Sequence, residues 1–425
     1  MLSNSNLKEL SFLIYGLGKS GISVVKFFKK KNIKKYKIWD DKQKKLLKNK
    51  RTKNLKKTLK NVDYIVLSPG ISLRDKKNLV KFEKKIITDI DFLYLTNKNF
   101  KSIVITGTNG KSTTCKLINH LLKQNKFQVS LGGNIGKPVL DLNIKKNSYA
   151  VIEASSFQLS HSKFIRPDYA LLLNITNDHL DWHGNMSNYV NSKMKIFKIQ
   201  KKNQFAIVNK NFKKIFKKRN FISQLITPKE KKYNKIRNKI KNDYLKSKIN
   251  SENMSFVFAI SKLLKININR FIAAANSFIG LQHRYEIFLK KKNITFINDS
   301  KSTSFESSKN ALLNGKNIYW ILGGLPKKND KIVLSKVKKN ITKCYIIGKN
   351  TNFFKKQIKN KVTFSITKNL KKTIIKILQD IKSFNKKNNT ILLSPAAASY
   401  DQFMNFEKRG YEFKKLSKLY ARKFI

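Results

Sequence analysis

Short apolar runs alternate with amphipathic stretches along the chain, and most runs close on glycine, serine, aspartate or proline. The first case is SFLIYGLGKSGISVVKFFKKK, residues 11–31, where an apolar strand, a glycine turn and a helical pattern follow in order. A second strand, YKIWD, ends at Asp40, and a third, VDYIVLSPG, ends at Ser68, Pro69 and Gly70. This alternation predicts a parallel α/β domain over residues 1–95. A second unit starts near Lys101: KSIVITG is a strand, a helix begins at GKSTT, and YAVIEAS and DYALLLNI are further strands. A third starts near Leu281, with strands expected at ITFINDS, NIYWILGG, KCYIIGK and NTILLSP. Ligands of such folds bind beyond the carboxyl ends of the strands, where the closing polar residues lie. Residues 209–248, dominated by Lys and Asn with weak periodicity, allow no assignment, and no internal repeat is evident.

Length agrees with this partition, since 425 residues correspond to two or three domains at about 150 residues each. The apolar fraction of 40% is enough for real cores. No apolar run reaches the ~18 residues of a membrane span. The opening MLSNSNLKEL lacks a basic patch followed by an apolar stretch, so no signal peptide is expected. Cys115 and Cys344 are far apart and without metal spacing, which suits a reducing cytoplasm.

The formal charge of +68 invites a nucleic-acid reading. Against it stand 83 lysines and only 9 arginines, because readers of phosphates and bases favour arginine's bidentate fork. The lysines are spread over the whole chain together with Asn and Ile, as an AT-rich coding sequence would supply. The charge therefore reads as a solvated lysine surface, and no nucleic-acid partner is expected. Anionic small substrates would still benefit from the field.

Two glycine turns carry candidate chemistry. Gly16, Gly18 and Gly21 form G-x-G-x-x-G at a strand-to-helix junction, a spacing that lets a diphosphate approach the backbone at a helix N-terminus. The motif alone also admits a nicotinamide cofactor, or a tight turn with no ligand. The second turn is ITGTNGKSTT, residues 105–114. The usual phosphate loop is G-x-x-x-x-G-K-[ST], whereas here Gly107 and Gly110 are separated by only two residues. A strand that feeds Gly-Thr-Asn-Gly-Lys-Ser-Thr into a helix still aims backbone N–H groups at an anion. Lys111 would lie against β- and γ-phosphates, and Ser112 would offer its hydroxyl to Mg²⁺. Glu153 closes the apolar run YAVI, where a carboxylate can face a metal or simply sit at the surface. Asn174, Asp178, His179, Asp181 and His183 crowd the stretch after DYALLLNI and include two of the five histidines. Such clustering favours His179 as a ligand or phosphate partner.

Taken together, GTNGKST, GGNIG (132–136), VIEASSFQL (151–159), NITNDHLDWHG (174–184), LQHR (281–284) and INDSKSTS (297–304) resemble the Mur ligase family, ATP-dependent amide ligases of peptidoglycan precursor synthesis. The short G-T-N-G-K-[ST] loop is that family's own. LLSPAAASYDQFMNFEKRGYEF, residues 392–413, is similar to the signature of the family's D-glutamate-adding branch, and SPGI (68–71) and SSFQL (155–159) agree. The D-N-P-R stretch of the diamino-acid-adding branch is absent, and folylpolyglutamate synthases share the loop but not this C-terminus.

The resemblance implies an α/β fold of three domains: Rossmann-like at 1–95 for the UDP-sugar, P-loop-type at 96–280 for ATP, and Rossmann-like at 281–425 for the amino acid. It implies a monomeric cytoplasmic ligase whose substrates are ATP, UDP-N-acetylmuramoyl-L-alanine and D-glutamate. ATP would be held by Gly107, Thr108, Asn109, Gly110, Lys111, Ser112, Thr113, Asn253, Arg284 and Asp299. Two Mg²⁺ ions would use Ser112 and Glu153, and His179 with Lys193 as a carbamate. Lys111, Asn134, His179 and Lys193 would be the catalytic set. Gly18, Lys19, Ser20, Asp40, Asp41 and Gly70 would line the UDP-sugar site, and Lys301, Thr303, Lys327, Ser399 and Phe406 the D-glutamate site. Two departures stand out. The family's H-N-x-x-N is aligned here with ENMSF, residues 252–256, so that Glu252 and Phe256 replace the His and the second Asn. Ala397 replaces a usual cysteine.

Overall fold

The computed structural model describes residues 6–43, 47–97, 99–246, 248–327 and 330–425. The chain divides near Phe278 into two compact units. The first unit holds two sheets and the second holds one.

The N-terminal sheet contains β1 (Phe12–Tyr15), β2 (Tyr36–Trp39), β3 (Tyr64–Leu67) and β4 (Ile86–Ile87), all parallel, in the order β2-β1-β3-β4. The central sheet has six parallel strands: β5 (Phe100–Thr106), β6 (Val129–Gly133), β7 (Ser148–Glu153), β8 (Tyr169–Leu172), β9 (Phe205–Val208) and β10 (Gln224–Ile226). Their order is β10-β9-β8-β5-β7-β6. The chain leaves β5 on one side and later returns to the other, so β5 is the switch point where such sheets bind ligands. Register brings Glu153 beside Ile105 and Leu172 beside Thr106. The phosphate loop after Thr106 is therefore flanked by Glu153 and by the polar stretch that follows β8.

Side-chain alternation explains why these strands are buried on both faces. Ile103, Ile105, Val151 and Leu171 enter one core, while Val104, Ile152, Ala170 and Leu172 enter the other. The N-terminal part is fastened to the central part by two carboxylates, Asp91 buried and Asp141 exposed. Asp91 accepts from Ser162 Oγ at 2.7 Å and from the backbone N–H groups of Lys163 and Phe164. Asp141 accepts from Ser23 Oγ at 2.7 Å.

In the second unit, β11 (Glu286–Lys291), β12 (Ile294–Asn298), β13 (Ile318–Gly323), β14 (Ile341–Ile347), β15 (Phe364–Lys368) and β16 (Asn389–Leu393) run in the order β11-β12-β16-β13-β14-β15. Only β11 among them is antiparallel to its neighbour. The α/β class expected from the sequence is thus the one found.

All ten strands read from the sequence are present. The six not foreseen, β4, β6, β9, β10, β11 and β15, differ in position: five lie at sheet edges and β9 is next to one. Edge strands such as EIFLKK and FSITK bury one side only and carry lysines, so their apolar signal is diluted. The unassigned stretch 209–248 contains β10 and the helices Lys213–Lys218, Glu230–Arg237 and Asp243–Lys246. Phe216, Tyr233, Ile236, Ile240 and Leu245 anchor it in the cores. These few anchors are hidden among lysines in the sequence.

Candidate functional site

The helix Lys111–Gln124 starts directly after the loop, with Gly110 as its N-cap at φ 83°. A Cβ at Gly110 would lie 2.2 Å from Asn253 Oδ1. Only glycine satisfies both the left-handed backbone and this contact. The loop is pinned from the end of β8: Thr108 N–H donates to Asn174 O (2.9 Å) and Asn109 N–H to Asn174 Oδ1 (2.8 Å). The Thr108 hydroxyl bonds the Tyr189 hydroxyl at 2.9 Å. With these two amides tied, the loop presents the N-terminal end of a 14-residue helix to an anion.

Two amines converge on one carbonyl here. Lys111 Nζ donates to Gly107 O (2.8 Å) and Thr108 O (2.9 Å), and Lys193 Nζ donates to Gly107 O (2.9 Å). Lys193 is 1% exposed and lies over the Tyr189 ring. Burial first, and then the Lys111 charge, push its amine well below the usual lysine range.

Glu153 is 3% exposed, so it is no surface glutamate. Its Oε1 accepts from Asn134 Nδ2 at 3.0 Å, while its buried Oε2 has no protein partner. Gly133, at φ 103°, lets the chain turn there, because a Cβ would meet Glu153 O at 2.3 Å. Ser112 is likewise buried. His179 caps the short helix Leu180–His183 at φ 55°. Its Nε2 lies 3.4 Å from Asp178 Oδ2, and its ring packs edge-on against Phe157 at 4.7 Å. Neighbouring His183 is different: it is buried, bonded to Ser156 Oγ at 2.9 Å, and pushed down to about 4 by burial and the Lys193 charge. The two histidines of the cluster thus separate into a half-exposed one at the site and a structural one.

On the far side of the loop, Asn253 Oδ1 accepts from Thr114 Oγ1 and Asn253 Nδ2 donates to Asn250 Oδ1 (3.1 Å). A second asparagine pattern thus lies just ahead of the match at residues 252–256. The asparagine pair one helical turn apart is Asn250 and Asn253, while Phe256 is buried in the apolar core. Glu252 points to the loop side, accepting from Asn174 Nδ2 at 3.1 Å and from Asn209 Nδ2. Burial pushes its carboxyl up, opposed by these bonds.

At the N-terminal turn, Gly18 caps the helix Lys19–Lys30, and a Cβ there would meet open space. Asp40 is occupied by backbone donors: Leu17 N–H on Oδ2 (2.6 Å), and Lys42 and Gln43 N–H on Oδ1 (2.8 Å each). Burial alone would raise its carboxyl, but these bonds outweigh it and hold it low. Asp41 bonds Trp39 Nε1 (3.0 Å) and Lys76 Nζ (3.0 Å). The Ser20 hydroxyl faces the buried Asp89 carboxylate, and Gly70 lies in the turn after β3.

In the second unit, the helix Phe406–Phe424 organises the remaining candidates. Ser300 Oγ donates to Phe406 O (2.8 Å), and Lys301 Nζ sits 5.0 Å from the Phe406 ring centre. Arg409, unremarked in the sequence, is 1% exposed and clamps Ser300 and Ala397 through Nε and Nη2. It thereby fixes the segments that carry Lys301 and Ser399. Ser399 is buried, Thr303 is half-buried, and Lys327 lies on the loop after β13, where its charge acts on Asp330. Asp299 is used internally, by Tyr285 N–H, Ser302 Oγ and Ser394 Oγ. Burial pushes its carboxyl up to about 6. Arg284 pairs with Leu281 in a short bridge beside it.

Known proteins resemble this chain in sequence and fold. A model of the Mur ligase middle domain matches residues 105–277, and one of the MurD-like Mur ligase N-terminal domain matches 11–88. The UDP-N-acetylmuramoylalanine--D-glutamate ligase of Wolbachia sp. subsp. Brugia malayi is 36% identical over 488 residues, covering 96% of each chain. Its namesake from Buchnera aphidicola subsp. Schizaphis graminum is 37% identical over 436 residues, 96% of this chain and 97% of that one. The chain belongs to the Mur ligase family.

Solved Mur ligases agree in fold. The MurF ligase of Thermotoga maritima in complex with ADP gives a TM-score of 0.57 at 16% identity, covering 99% of this chain and 98% of that one. The MurC ligase of the same organism gives 0.54 at 15%, covering 96% and 99%. At such identities the likeness concerns the fold alone. Within this Mur ligase, the phosphate loop, Asn134, Glu153, Lys193 and Asn253 come together around the end of β5, with His179 near them through Tyr189. Lys301, Ser399 and Phe406 form a second group around Arg409. Sequence reasoning missed Asn250, Tyr189 and Arg409 as parts of these groups, and named Asn174 only as one of the polar residues crowded after β8. Of these, only the Asn250–Asn253 spacing was visible as a pattern.

Proposed function

We propose that this Mur ligase joins D-glutamate to UDP-N-acetylmuramoyl-L-alanine while ATP is cleaved to ADP and phosphate. Relatives that carry this activity in their names are 30% to 37% identical over most of the chain. The single observation that carries the chemical reading is the pairing of opposites at the end of β5. A buried carboxylate oxygen without a partner, Glu153 Oε2, stands at the same sheet end as a helix N-terminus and two lysine amines.

The reaction brings two anions together. A substrate carboxylate oxygen attacks the γ-phosphorus, the bond to the β-phosphate oxygen breaks, and ADP leaves. The amine of D-glutamate then attacks the acyl carbon, loses a proton, and phosphate departs. Fixed positive charge must be available before the reactants meet, since water could supply it only by reorganising. Lys111 and the N–H groups of residues 110–112 would hold the phosphates. Asn134 would orient Glu153.

Magnesium fits the residues present. It binds through one or two carboxylates plus phosphate oxygens and waters rather than through a protein cage. Among the described residues no cluster of three His, Cys, Asp or Glu side chains forms such a cage. Ser112 and Glu153 would hold one ion, and His179 the other. A bound magnesium ion would supply positive charge to the phosphate oxygens. Lys193 as an amine does not suit a cation, but burial and the Lys111 charge favour its neutral form, the form that takes up CO₂ with loss of a proton. The resulting carbamate would be an anionic partner for the ion near His179.

The roles divide among domains at 1–95 for the UDP-sugar, 96–280 for ATP and 281–425 for D-glutamate. Lys301, Thr303, Lys327, Ser399 and Phe406 would receive the two carboxylates of D-glutamate. Lys19, Ser20, Gly18, Asp40, Asp41 and Gly70 would face the uridine diphosphate. The nucleotide contacts of Arg284 and Asp299 would run through their backbone and edges, as the Asp299 carboxylate is already bonded. The protein would act as a monomer in the cytoplasm, where nucleotide-linked precursors and ATP are present.

The test is amino-acid-dependent phosphate release. Purified protein with ATP, Mg²⁺ and UDP-N-acetylmuramoyl-L-alanine should release phosphate on addition of D-glutamate and not of L-glutamate or a diamino acid. Release with another amino acid instead would reassign the branch, and none with any would end the ligase reading.

A further inference from the structure

Three asparagine and glutamate side chains form a line from the helix Lys248–Leu263 to the phosphate loop. Asn209, at the end of β9, donates its amide to Glu252, and so does Asn174, at the end of β8. Asn174 Oδ1 in turn accepts from Asn109 N–H at 2.8 Å. An amide side chain can be flipped, presenting N–H where oxygen is needed. Here Glu252 removes the choice. It accepts at both oxygens and cannot donate as a carboxylate, so Asn174 must aim its N–H₂ at Glu252 and its oxygen at the loop. The same asparagine receives Thr108 N–H on its backbone oxygen. Asn174 is thus the sole side chain in this line that touches the loop, and Glu252 decides which way it faces. The next residue along the helix, Asn253, touches Gly110.

We propose that Glu252 is a positioning residue for ATP, setting the phosphate loop through the orientation of Asn174. The inference rests on residues 107–113 being the triphosphate loop. It assigns a role to a residue that looked, from the sequence, like the loss of a family histidine. Glu252 does not touch the nucleotide in this scheme; its effect is on loop geometry and should appear in ATP affinity.

Glu252→Gln keeps the shape but places an N–H₂ donor against one of the two asparagine amides. The expected result is a rise of about tenfold in KM for ATP, with kcat and the KM values of the other two substrates within about twofold. Asn209→Asp alone should act in the same direction by opposing two carboxylates. The double variant Asn209→Asp/Glu252→Gln conserves net charge and restores every pair. The introduced glutamine then donates to the new carboxylate at position 209 and accepts from Asn174, so KM for ATP should return to within about twofold of the parent. Thermal unfolding of each variant identifies any that fails to fold, and the double variant then carries the test. Lys111→Ala in the same assay separates the two levels. Turnover retained there removes the loop assignment itself. Lys111→Ala inactive, with either an unchanged KM for ATP in both single variants or additive loss in the double variant, overturns the role of Glu252 alone.

Discussion

The turns at residues 16–21 and 107–112 are locally the same device: an apolar parallel strand, a glycine at positive φ, and a helix that starts soon after it. Their surroundings differ. At the first, Asp40 is spent on three backbone amides and Asp41 on Trp39 and Lys76, and the buried Asp89 beside Ser20 keeps one oxygen without a partner but has no lysine amine among the described residues bonded to it. At the second, two lysines crowd one carbonyl and a buried glutamate oxygen is left without a partner. The first turn can hold a ligand by shape and backbone. The second gathers two amines beside a carboxylate, the charges that a reaction uses. The comparison teaches that a glycine motif reports backbone approach, whereas reactivity is set by what distant strands bring to it.

The sharpest way to break this contrast is to remove one charge from each turn. Lys111→Ala should lower phosphate release by at least about 10²–10³-fold, while Lys19→Ala should change kcat by less than about threefold, because no reacting group is assigned beside it. Equal losses in both would dissolve the distinction. The second-largest effect concerns Lys193. Depleting CO₂ and bicarbonate from the buffer should reduce turnover several-fold, and added bicarbonate should restore it. The same treatment should leave Lys193→Ala at its own low level. Insensitivity of the parent enzyme would show that the buried amine works unmodified.

Backbone tolerance sharpens the comparison further. Gly110→Ala must adopt φ 83° and displace Asn253 Oδ1. The backbone strain alone is worth ~1–2 kcal/mol, and KM for ATP should rise with it. Gly18 has φ −70° and open space for a Cβ, so Gly18→Ala should melt like the parent. A raised KM for the UDP-sugar in that variant would then report a diphosphate against the backbone and nothing else.

The smallest expected effect is on stability. His161 and His183 are both buried and pushed down to about 4, by burial first and then by the charges of Lys195 and Lys193 respectively. Unfolding returns each to about 6.5, so below that pH the unfolded chain binds more protons than the native one. Their contribution is fully present above about pH 6.5 and is lost as pH falls through about 4. Melting temperature should decline across this window, and less so in His183→Asn. A flat profile between about pH 7 and 4.5 would show that these rings take up protons as readily in the native fold as in the unfolded chain.

The central strands were legible because residues buried on both faces give unbroken apolar runs, as in KSIVITG and YAVIEAS. The edge strands β6, β10, β11 and β15 were not, since partial burial leaves their apolar residues mixed with glycine or polar residues, and in β11 and β15 with lysine. At the site, Lys111 and Ser112 could be read from spacing, and His179 from its crowded neighbourhood. The parts played by Asn174, Glu252 and Arg409 could not, because their meaning lies in partners 65 to 109 positions away in the chain. Phe256, which stands where the family pattern has an asparagine, belongs to the apolar core.

By itself the amino-acid sequence determined the α/β class, the two glycine turns and the family motifs, since strand burial and tight turns are local demands on residue type. Only the tertiary structure decided which carboxylates are spent and which stand ready. Glu153 and Asp40 close similar strands, yet one keeps a buried oxygen without a partner and the other is fully bonded. Hydrogen-bond satisfaction depends on donors arriving from elsewhere in the chain. No pattern of neighbours along the sequence encodes it.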